Sequence, residues 1–456
     1  WKSLMASQQE LNKVLDELEI QESKLLCWGD TSGFFSIDEL ESIIETILSN
    51  EDPEDIEDEL RGRAMIVSVT DHTGCEIGVR TRIAQALHLY RNLRQWFHGK
   101  AIEQSKTLVS DFRYIRRSRY YPKRELELPY LLEKWQEEFN LHSSTQKAIT
   151  QLVGSYKLSG FQARATSHIL NYYKKHQLRQ KYSSATIISA GTGSGKTMAF
   201  YLPALSILVS DILKDKECRV RALAIYPRRE LLKDQFSETW EQCRKLDSLM
   251  LKTGGRKIRI GALFGGIPSS AQHALKHKNQ KHIHFSLLKC SKSGCRGEMR
   301  WSADDISTST ERLVCHLCGH TVSGDEVALT RQSMADRPPD ILFTTTEMLN
   351  QQMGNKKRQH LFGVGTKHSI PLVLLDEVHT YEGSQGAHTA FLLRRWMKLS
   401  KNRPHFVGLS ATLADAETFF ANLTGTNSSY VRLIKPSEDE MVEEGSEYLL
   451  ALRGDP

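Results

Sequence analysis

The chain has 456 residues, of which 39% are hydrophobic and 25% are charged, and its formal net charge is +6. This length predicts two to four domains, and the composition is typical of a soluble globular protein. We find no apolar run near the roughly 20 residues of a membrane helix and no secretory signal, so we predict a cytoplasmic protein without a membrane partner.

Residues 1–150 predict a mostly helical domain of unknown role. Apolar residues recur at helical spacing in residues 11–18 and again in residues 40–48. The acidic run 51–59 is predicted to be either a solvated linker or the start of a helix. Residues 113–124 hold six cations and three tyrosines, which could bind nucleic acid. We slightly favour the alternative, in which they form a solvated face that packs on the rest of the chain or on an acidic partner.

From about residue 157, short apolar runs alternate with amphipathic segments, which is the pattern of βα units around a parallel sheet. Six runs are short, apolar and bounded by polar or turn residues, as buried parallel strands are. The predicted strands are 185–189, 220–226, 258–263, 341–343, 372–375 and 405–409. We therefore predict an α/β fold with a RecA-like parallel sheet and helices on both faces.

The segment after the first predicted strand has the composition of a phosphate-binding loop and leads into an apolar helical run. Its glycines let backbone N–H groups converge on phosphates, and the helix N-terminus adds its positive end. Lys196 is predicted to reach the β- and γ-phosphates of ATP, and Thr197 to ligate Mg²⁺. The order of strand, loop and helix disfavours the alternative of a simple glycine-rich turn. The predicted nucleotide-binding residues of this loop are Gly191, Thr192, Gly193, Ser194, Gly195, Lys196 and Thr197.

An NTPase site also needs a carboxylate at the end of a neighbouring strand, where it holds Mg²⁺ opposite the phosphate loop. Asp376 directly follows the apolar run 372–375 and meets this requirement. Glu377 is placed to activate the attacking water as a general base. A solvated turn is the alternative for this acidic pair, and the phosphate loop disfavours it. The two segments predict ATP hydrolysis with Lys196, Asp376 and Glu377 as catalytic residues.

These motifs and their order resemble the superfamily 2 helicases. Residues 376–379 read Asp-Glu-Val-His, like the Walker B box of that family, and residues 410–412 read Ser-Ala-Thr, like its motif III. The resemblance implies that His379 is catalytic and that Gln162, in a segment like the Q motif, reads the adenine edge. It also implies residues that couple the ATP site to the nucleic-acid site. These are Ser410, Ala411 and Thr412.

Three further segments resemble family motifs that line the track for one nucleic-acid strand. Residues 226–235 resemble motif Ia, residues 265–266 resemble motif Ib, and residues 344–349 resemble motif Ic. The resemblance implies a nucleic-acid substrate, with DNA favoured over RNA. The implied contact residues are Pro227, Arg228, Gly265, Gly266, Thr345 and Thr346.

A narrower resemblance begins at the acidic box, where residues 379–388 and 392–395 look like the MrfA-type helicases. That group includes DNA-repair enzymes and large helicase subunits of bacterial anti-phage systems such as Druantia, DISARM and the dpd cluster. The group usually has Tyr-Arg-Gly after the box, whereas Glu382 replaces the arginine here. The resemblance, which covers about residues 157–432, implies a DNA helicase or translocase with protein partners in anti-phage defence. A DNA-repair helicase and an ATP-switched nucleic-acid sensor or scaffold are the alternatives.

Four cysteines lie in two short-range pairs between the segments that resemble motifs Ib and Ic. Cys290 and Cys295 form the first pair, nineteen residues follow, and Cys315 and Cys318 form the second. This spacing is typical of a zinc ribbon with tetrahedral structural Zn²⁺. Four unrelated thiols, or a nearby histidine in place of one thiolate, are the alternatives. The insertion could contact nucleic acid or a protein partner, or could only stabilise a loop.

We divide the chain into an N-terminal domain at 1–150, a RecA-like ATPase lobe at 151–276 and 323–432, a zinc-ribbon insertion at 277–322, and a linker at 433–456. Superfamily 2 motors place an arginine finger and half of the nucleic-acid track in a second RecA lobe, which the linker is expected to precede. The 456 residues alone are therefore expected to bind ATP weakly and to hydrolyse it poorly.

Overall fold

The computed structural model describes residues 7–454, apart from residues 96, 97, 100, 102–104, 179–181, 192, 277–281, 293, 296 and 412. The chain forms a smaller unit of residues 1–121 and 442–456 and a larger unit of residues 122–441. These bounds differ from the predicted ones at 150 and 433. Residues 128–153 belong to the larger unit because Trp135 and Ile149 are buried in its core.

Helices and strands are numbered in chain order. Up to residue 122 they are α1 (Gln8–Leu26), α2 (Ile37–Ile47), α3 (Pro53–Gly62), β1 (Ile66–Thr70), β2 (Glu76–Thr81), α4 (Arg82–Asn92) and β3 (Val109–Pro122). Up to the insertion they are β4 (Arg124–Leu126), α5 (Leu128–Phe139), α6 (Ser143–Val153), β5 (Leu158–Ser159), α7 (Gly160–Leu178), β6 (Ser184–Ser189), α8 (Lys196–Lys214), β7 (Ala222–Tyr226), α9 (Arg229–Lys245), α10 (Asp247–Lys252), β8 (Ile260–Leu263) and α11 (Ala271–Lys276).

The insertion and the remainder of the chain complete the set. The insertion contains β9 (His282–Lys289), β10 (Glu298–Ser302), α12 (Ala303–Ser307), β11 (Arg312–Cys315) and β12 (Thr321–Ser323). After it come β13 (Val327–Ala328), α13 (Arg331–Asp336), β14 (Ile341–Thr345), α14 (Thr346–Gln352), β15 (Leu372–Leu375), α15 (Gly383–Ser400), β16 (His405–Ser410), α16 (Ala416–Thr424), β17 (Val431–Ile434) and β18 (Met441–Gly454).

The smaller unit combines the expected helices α1–α4 with strands that the sequence did not predict. β1 pairs with β2, and β3 pairs with β18, which lies in the segment predicted to be a linker. Along β3, buried Phe112 and Tyr114 alternate with exposed Arg113 and Arg117, so one face of the strand packs and the other is open. The acidic run 51–59 is the start of α3, which Asp52 caps.

Eight parallel strands form the sheet of the larger unit in the order β13-β8-β14-β7-β15-β16-β6-β17. All six predicted strands are present, and β13 and β17 extend the sheet at its two edges. The chain crosses from β6 through β7 to β8 in one direction, and from β14 through β15 to β16 in the other. Because parallel crossovers are right-handed, this reversal places helices on both faces. The predicted α/β fold is confirmed.

The core of the larger unit consists of strands that are buried on both faces. Every residue of β6, β7, β14, β15 and β16 is buried. Among the described residues, only α8 is long and apolar enough to cross a membrane, and 78% of its most apolar stretch is buried inside the protein. Such burial is typical of a core helix beside a parallel sheet.

The insertion forms a separate antiparallel sheet in the order β12-β11-β10-β9. Trp301 of β10 lies opposite Leu313 of β11, and both side chains are buried. Together with the buried side chains of Met299 and Val322, they form the hydrophobic floor of this sheet. The basic run that begins at residue 276 lies mostly outside the described residues.

Candidate active site and nucleic-acid track

The predicted phosphate loop lies between the end of β6 and the start of α8. Gly193 and Gly195 have φ angles of +78° and +87°, a region in which other residues are strained. A side chain at position 195 would also meet Nε2 of Gln162 at 2.5 Å. Thr192 lies outside the described residues. The glycines therefore allow a turn that no residue with a Cβ would form without strain.

Gln162, in the first turn of α7, connects this loop to the preceding strand. Its Oε1 accepts a hydrogen bond from Ser159 N at 3.0 Å, and its Nε2 donates to Gly195 O at 3.0 Å. The side chain is almost fully buried. The side-chain amide thus helps to fix the conformation of the phosphate loop. The predicted contact of Gln162 with adenine stays a prediction.

The acidic pair follows β15, and only β16 separates β15 from β6. Two strand spacings place the backbone of Asp376 about 10 Å from that of the phosphate loop. Burial raises the pKa of Asp376 to about 6; the charge of Glu377 acts in the same direction, and that of Lys196 opposes it. Burial also lowers the pKa of Lys196, against the attraction of Glu377 and Asp376. The lysine and the two carboxylates therefore lie within electrostatic reach of one another, as metal-assisted phosphate chemistry requires.

Glu377 has a left-handed backbone with φ of +48°, which is uncommon for a residue other than glycine. Its Oε2 lies 3.3 Å from Nδ1 of His379. Backbone strain of this kind tends to occur at functional sites, where the surrounding structure holds it in place. The carboxylate of Glu377 thus lies next to the histidine predicted to be catalytic.

The segment predicted to couple the two sites is attached to the phosphate loop. Ser410 O accepts hydrogen bonds from Lys196 Nζ at 3.2 Å and from Ala190 N at 3.3 Å, and Ser189 Oγ donates to Ala411 O at 3.0 Å. Ser410 Oγ is buried and has no hydrogen-bond partner among the described residues. Thr412 lies outside them. A nucleotide that draws Lys196 away would thus remove a bond from this segment.

The three segments predicted to form the nucleic-acid track follow three adjacent strands. Pro227 and Arg228 come after β7, Gly265 and Gly266 come after β8, and Thr345 ends β14. Thr346 begins the following helix. The strand order is β8-β14-β7-β15, so these residues share one sheet edge with Asp376. Because carboxyl ends of parallel strands meet at the same edge, the track residues and the nucleotide residues lie side by side.

The four cysteines of the insertion converge. The Sγ atoms of Cys290 and Cys318 are 3.5 Å apart, and those of Cys295 and Cys315 are 3.7 Å apart. All four sulfur atoms lie within 4.8 Å of one another, and the cluster includes no histidine among the described residues. A tetrahedral site with metal–sulfur bonds of about 2.3 Å needs sulfur atoms about 3.8 Å apart. The residues present therefore fit a four-thiolate metal site.

Two arginines near these loops were not identified as site residues by their sequence pattern. Arg124 Nη2 lies 3.8 Å from the position that a Cβ on Gly195 would take. Arg331 Nη2 donates to the carbonyl oxygens of Phe264 at 3.2 Å and Gly265 at 3.3 Å. Arg331 lies outside the recognised motifs, and Arg124 belongs to the cationic stretch whose role the sequence left open. Only the fold brings them to the loops.

Comparison with protein families decides the class of this site. The family model described as "DEAD/DEAH box helicase" matches residues 161–285 and 300–419, which are more than half of the chain. The chain belongs to the DEAD/DEAH box helicase family. Helicases of this family hydrolyse ATP and act on nucleic acid, so the resemblance to superfamily 2 helicases is confirmed.

Individual relatives of this DEAD/DEAH helicase match parts of it. Druantia protein DruE of Escherichia coli is 26% identical over 312 residues, which cover 57% of this chain and 17% of DruE. The Lhr helicase/uracil glycosylase of Escherichia coli is 39% identical over 202 residues, which cover 41% of this chain and 13% of Lhr. The chain thus spans less than a fifth of the length of either relative. DruE carries the name of one of the systems that the narrower resemblance included.

Among solved structures, helicase MrfA bound to DNA is 19% identical to this chain, with a TM-score of 0.42. The match covers 75% of this chain and 34% of MrfA.

Proposed function

We propose that this DEAD/DEAH helicase is the ATP-binding and ATP-hydrolysing part of a DNA helicase or translocase that serves bacterial anti-phage defence. One observation carries the proposal: a single sheet edge bears both the phosphate loop with its acidic pair and the three track segments. Similarity to DruE over more than half of the chain supports the defence role. The MrfA-type pattern of residues 379–388 supports DNA as the substrate.

Each residue of the nucleotide site has a role in this proposal. Lys196 would hold the β- and γ-phosphates of ATP, and Thr197 and Asp376 would hold Mg²⁺, whose charge would offset that of the phosphates. Asp376, with a pKa raised to about 6, is ionised at neutral pH, as a metal ligand must be. Glu377 orients and activates the attacking water, and Nδ1 of His379 lies 3.3 Å from its carboxylate.

We further propose that Cys290, Cys295, Cys315 and Cys318 bind a structural Zn²⁺. Protein thiolates fill all four positions of a tetrahedral site, which leaves no open position for a catalytic water. Metal binding would hold together a small sheet whose buried apolar side chains include Met299, Trp301, Leu313 and Val322.

ATP hydrolysis by the full-length protein tests the proposed mechanism. Glu377→Gln should lower the hydrolysis rate by about 10²- to 10⁴-fold while ATP still binds, because it removes the general base. Lys196→Ala should weaken binding as well as hydrolysis. Lys398→Ala, at an exposed lysine of α15, is the matched control and should behave like the wild type. Hydrolysis that survives Glu377→Gln would contradict the assigned role.

Strand displacement separates the proposed motor from its alternatives. With ATP, the full-length protein should separate a duplex that carries a single-stranded DNA tail, and Glu377→Gln should abolish this activity. ATP-dependent DNA binding without displacement would instead support the sensor or scaffold. Stronger stimulation of hydrolysis by RNA than by DNA would reject the proposed substrate.

A further inference from the structure

Three arginines from separate segments lie around the loop of motif Ib. Arg229 is the first residue of α9, Arg331 is the first residue of α13, and Arg358 lies between α14 and β15. Arg229 belongs to the segment that resembles motif Ia, whereas Arg331 and Arg358 belong to no recognised motif. The loop itself contains Gly265 and Gly266.

The guanidinium group of Arg229 occupies the space above Gly265. A Cβ at position 265 would lie 2.9 Å from Nη2 of Arg229 and 3.4 Å from its Cζ. Glycine therefore lets the arginine approach the backbone of the loop closely. The arginine is exposed, so its remaining donors are open to a ligand.

Arg331 also approaches this loop. Its Nη2 donates to Phe264 O and Gly265 O, whereas its Nε is buried and has no hydrogen-bond partner among the described residues. Arginine has five N–H donors, so the two loop carbonyls use only part of this capacity. The backbone before it is held in place, because Glu311 Oε1 accepts from Thr330 N at 3.0 Å and from Thr330 Oγ1 at 3.1 Å.

Arg358 brings a second positive charge close to Arg331. Its segment is attached to α13 through His360 Nε2, which lies 2.9 Å from Ala335 O, and its Nη1 donates to Gln352 Oε1 at 3.3 Å. The pKa of Arg331 is lowered by burial and, to a smaller extent, by the charge of Arg358. A second positive charge thus lies near Arg331.

No carboxylate neutralises this cluster in the part of the chain that the structure describes. None of the three guanidinium groups forms an ion pair there, whereas Arg221 and Arg256 of the same unit share the carboxylate of Asp340. The three arginines beside the loop have no such carboxylate among the described residues, so their cluster is suited to an external anion.

We propose that Arg331 and Arg358, together with Arg229, bind a backbone phosphate of the nucleic-acid strand beside motif Ib. The planar guanidinium group matches the geometry of a phosphate and can donate two parallel hydrogen bonds to it. Such contacts fix the register of the strand without reading its sequence. The proposal rests on the proposed function and adds two residues to its track.

Binding of a fluorescein-labelled 20-residue oligo-dT to the 456-residue chain, followed by anisotropy, tests this site. Arg358→Gln and Arg331→Gln should each weaken binding by about tenfold at roughly 50 mM salt, the order expected when one charge-assisted hydrogen bond is lost. The slope of log affinity against log salt should fall by about 0.7 for each lost phosphate contact. Affinity for a fluorescent ATP analogue should stay within about twofold of the wild type.

Lys252→Gln removes one exposed positive charge from α10, which precedes β8, and serves as the matched control. If both arginine variants bind oligo-dT with the affinity and salt slope of Lys252→Gln, the phosphate site is refuted. Arg358 makes no bond to the loop, so its variant tests the site even if Arg331→Gln disturbs the fold. If Arg228→Gln weakens binding of oligo-dT but Arg331→Gln and Arg358→Gln do not, this inference fails and the proposed function stands. If the wild type binds neither oligo-dT nor oligo-U, the proposed function fails with it.

Discussion

Glu311 offers a sharp test of how the insertion is attached to the helicase sheet. Its carboxylate accepts from Thr330 N at 3.0 Å, Thr330 Oγ1 at 3.1 Å, Ser333 Oγ at 2.6 Å and Arg259 Nη2 at 3.3 Å. The side chains of Glu311 and Arg259 are only 10% and 3% exposed. Glu311→Ala would remove all four acceptor contacts and leave a buried guanidinium group without its carboxylate.

Removal of one partner of a buried pair costs about 3–5 kcal/mol. Arg259 keeps bonds to Gly324 O at 2.6 Å and to Ser333 Oγ at 2.7 Å, so we expect the lower end, about 3 kcal/mol. Glu311→Gln keeps the shape and one acceptor and should cost about 1 kcal/mol. Urea unfolding followed by tryptophan emission measures both values. Hydrogen exchange at the backbone amides of α13 should be faster in Glu311→Gln than in the wild type, and faster still in Glu311→Ala.

A neighbouring variant controls for general damage to the insertion. Arg312→Ala removes an ion pair with Asp305 at 2.9 Å, but the arginine is 55% exposed, so the cost should stay below about 1 kcal/mol. Because Thr330 directly precedes Arg331, Glu311→Ala should also weaken nucleic-acid binding while ATP binding is retained. A Glu311→Ala chain as stable as Arg312→Ala would refute the assigned role of this carboxylate.

Three further outcomes are expected. Gln162→Ala should lower ATP affinity by about tenfold, because it removes two hydrogen bonds that shape the phosphate loop. Titration with a fluorescent ATP analogue measures this affinity, and an unchanged value would contradict the reasoning. The desalted chain should contain one zinc ion by elemental analysis, and Cys315→Ser should lose it; full retention would argue against thiolate ligation. Burial raises the pKa of Glu22 from 4.5 to about 7, so the folded state binds its proton more tightly and the stability of the smaller unit should fall as pH rises through this interval. Glu22→Gln should flatten that dependence in thermal unfolding at pH 5 and pH 8, and an unchanged slope would count against it.

Local patterns predicted much of the larger unit. Each predicted strand was a short apolar run with polar neighbours, and such runs are buried on both faces in a parallel sheet. Asp376 directly follows one of these runs, and the glycine-rich segment follows another. Because the carboxyl ends of parallel strands meet at one edge of the sheet, the two could be expected to lie close together. These residues could be predicted from the sequence because each motif consists of a few consecutive positions, so no remote partner had to be known.

Features that depend on remote partners could not be predicted in this way. β3 pairs with β18 across more than 300 residues, and its mixture of arginine and tyrosine does not indicate which strand it needs. β13 and β17 are short edge strands, and β13 has only two residues, too few for a periodic signal. The contact of Arg331 with the motif Ib loop joins positions more than 60 residues apart, and no local pattern marks it.

The pairing of β3 with β18 has a consequence for biosynthesis. A ribosome completes β3 before it begins the larger unit, and it makes β18 only after residue 440. During this interval the long edge of β3 has no partner from its own chain, and an unpaired edge invites association with other strands. The nascent smaller unit should therefore depend on a chaperone, or on rapid synthesis of the intervening segment, until its last strand emerges.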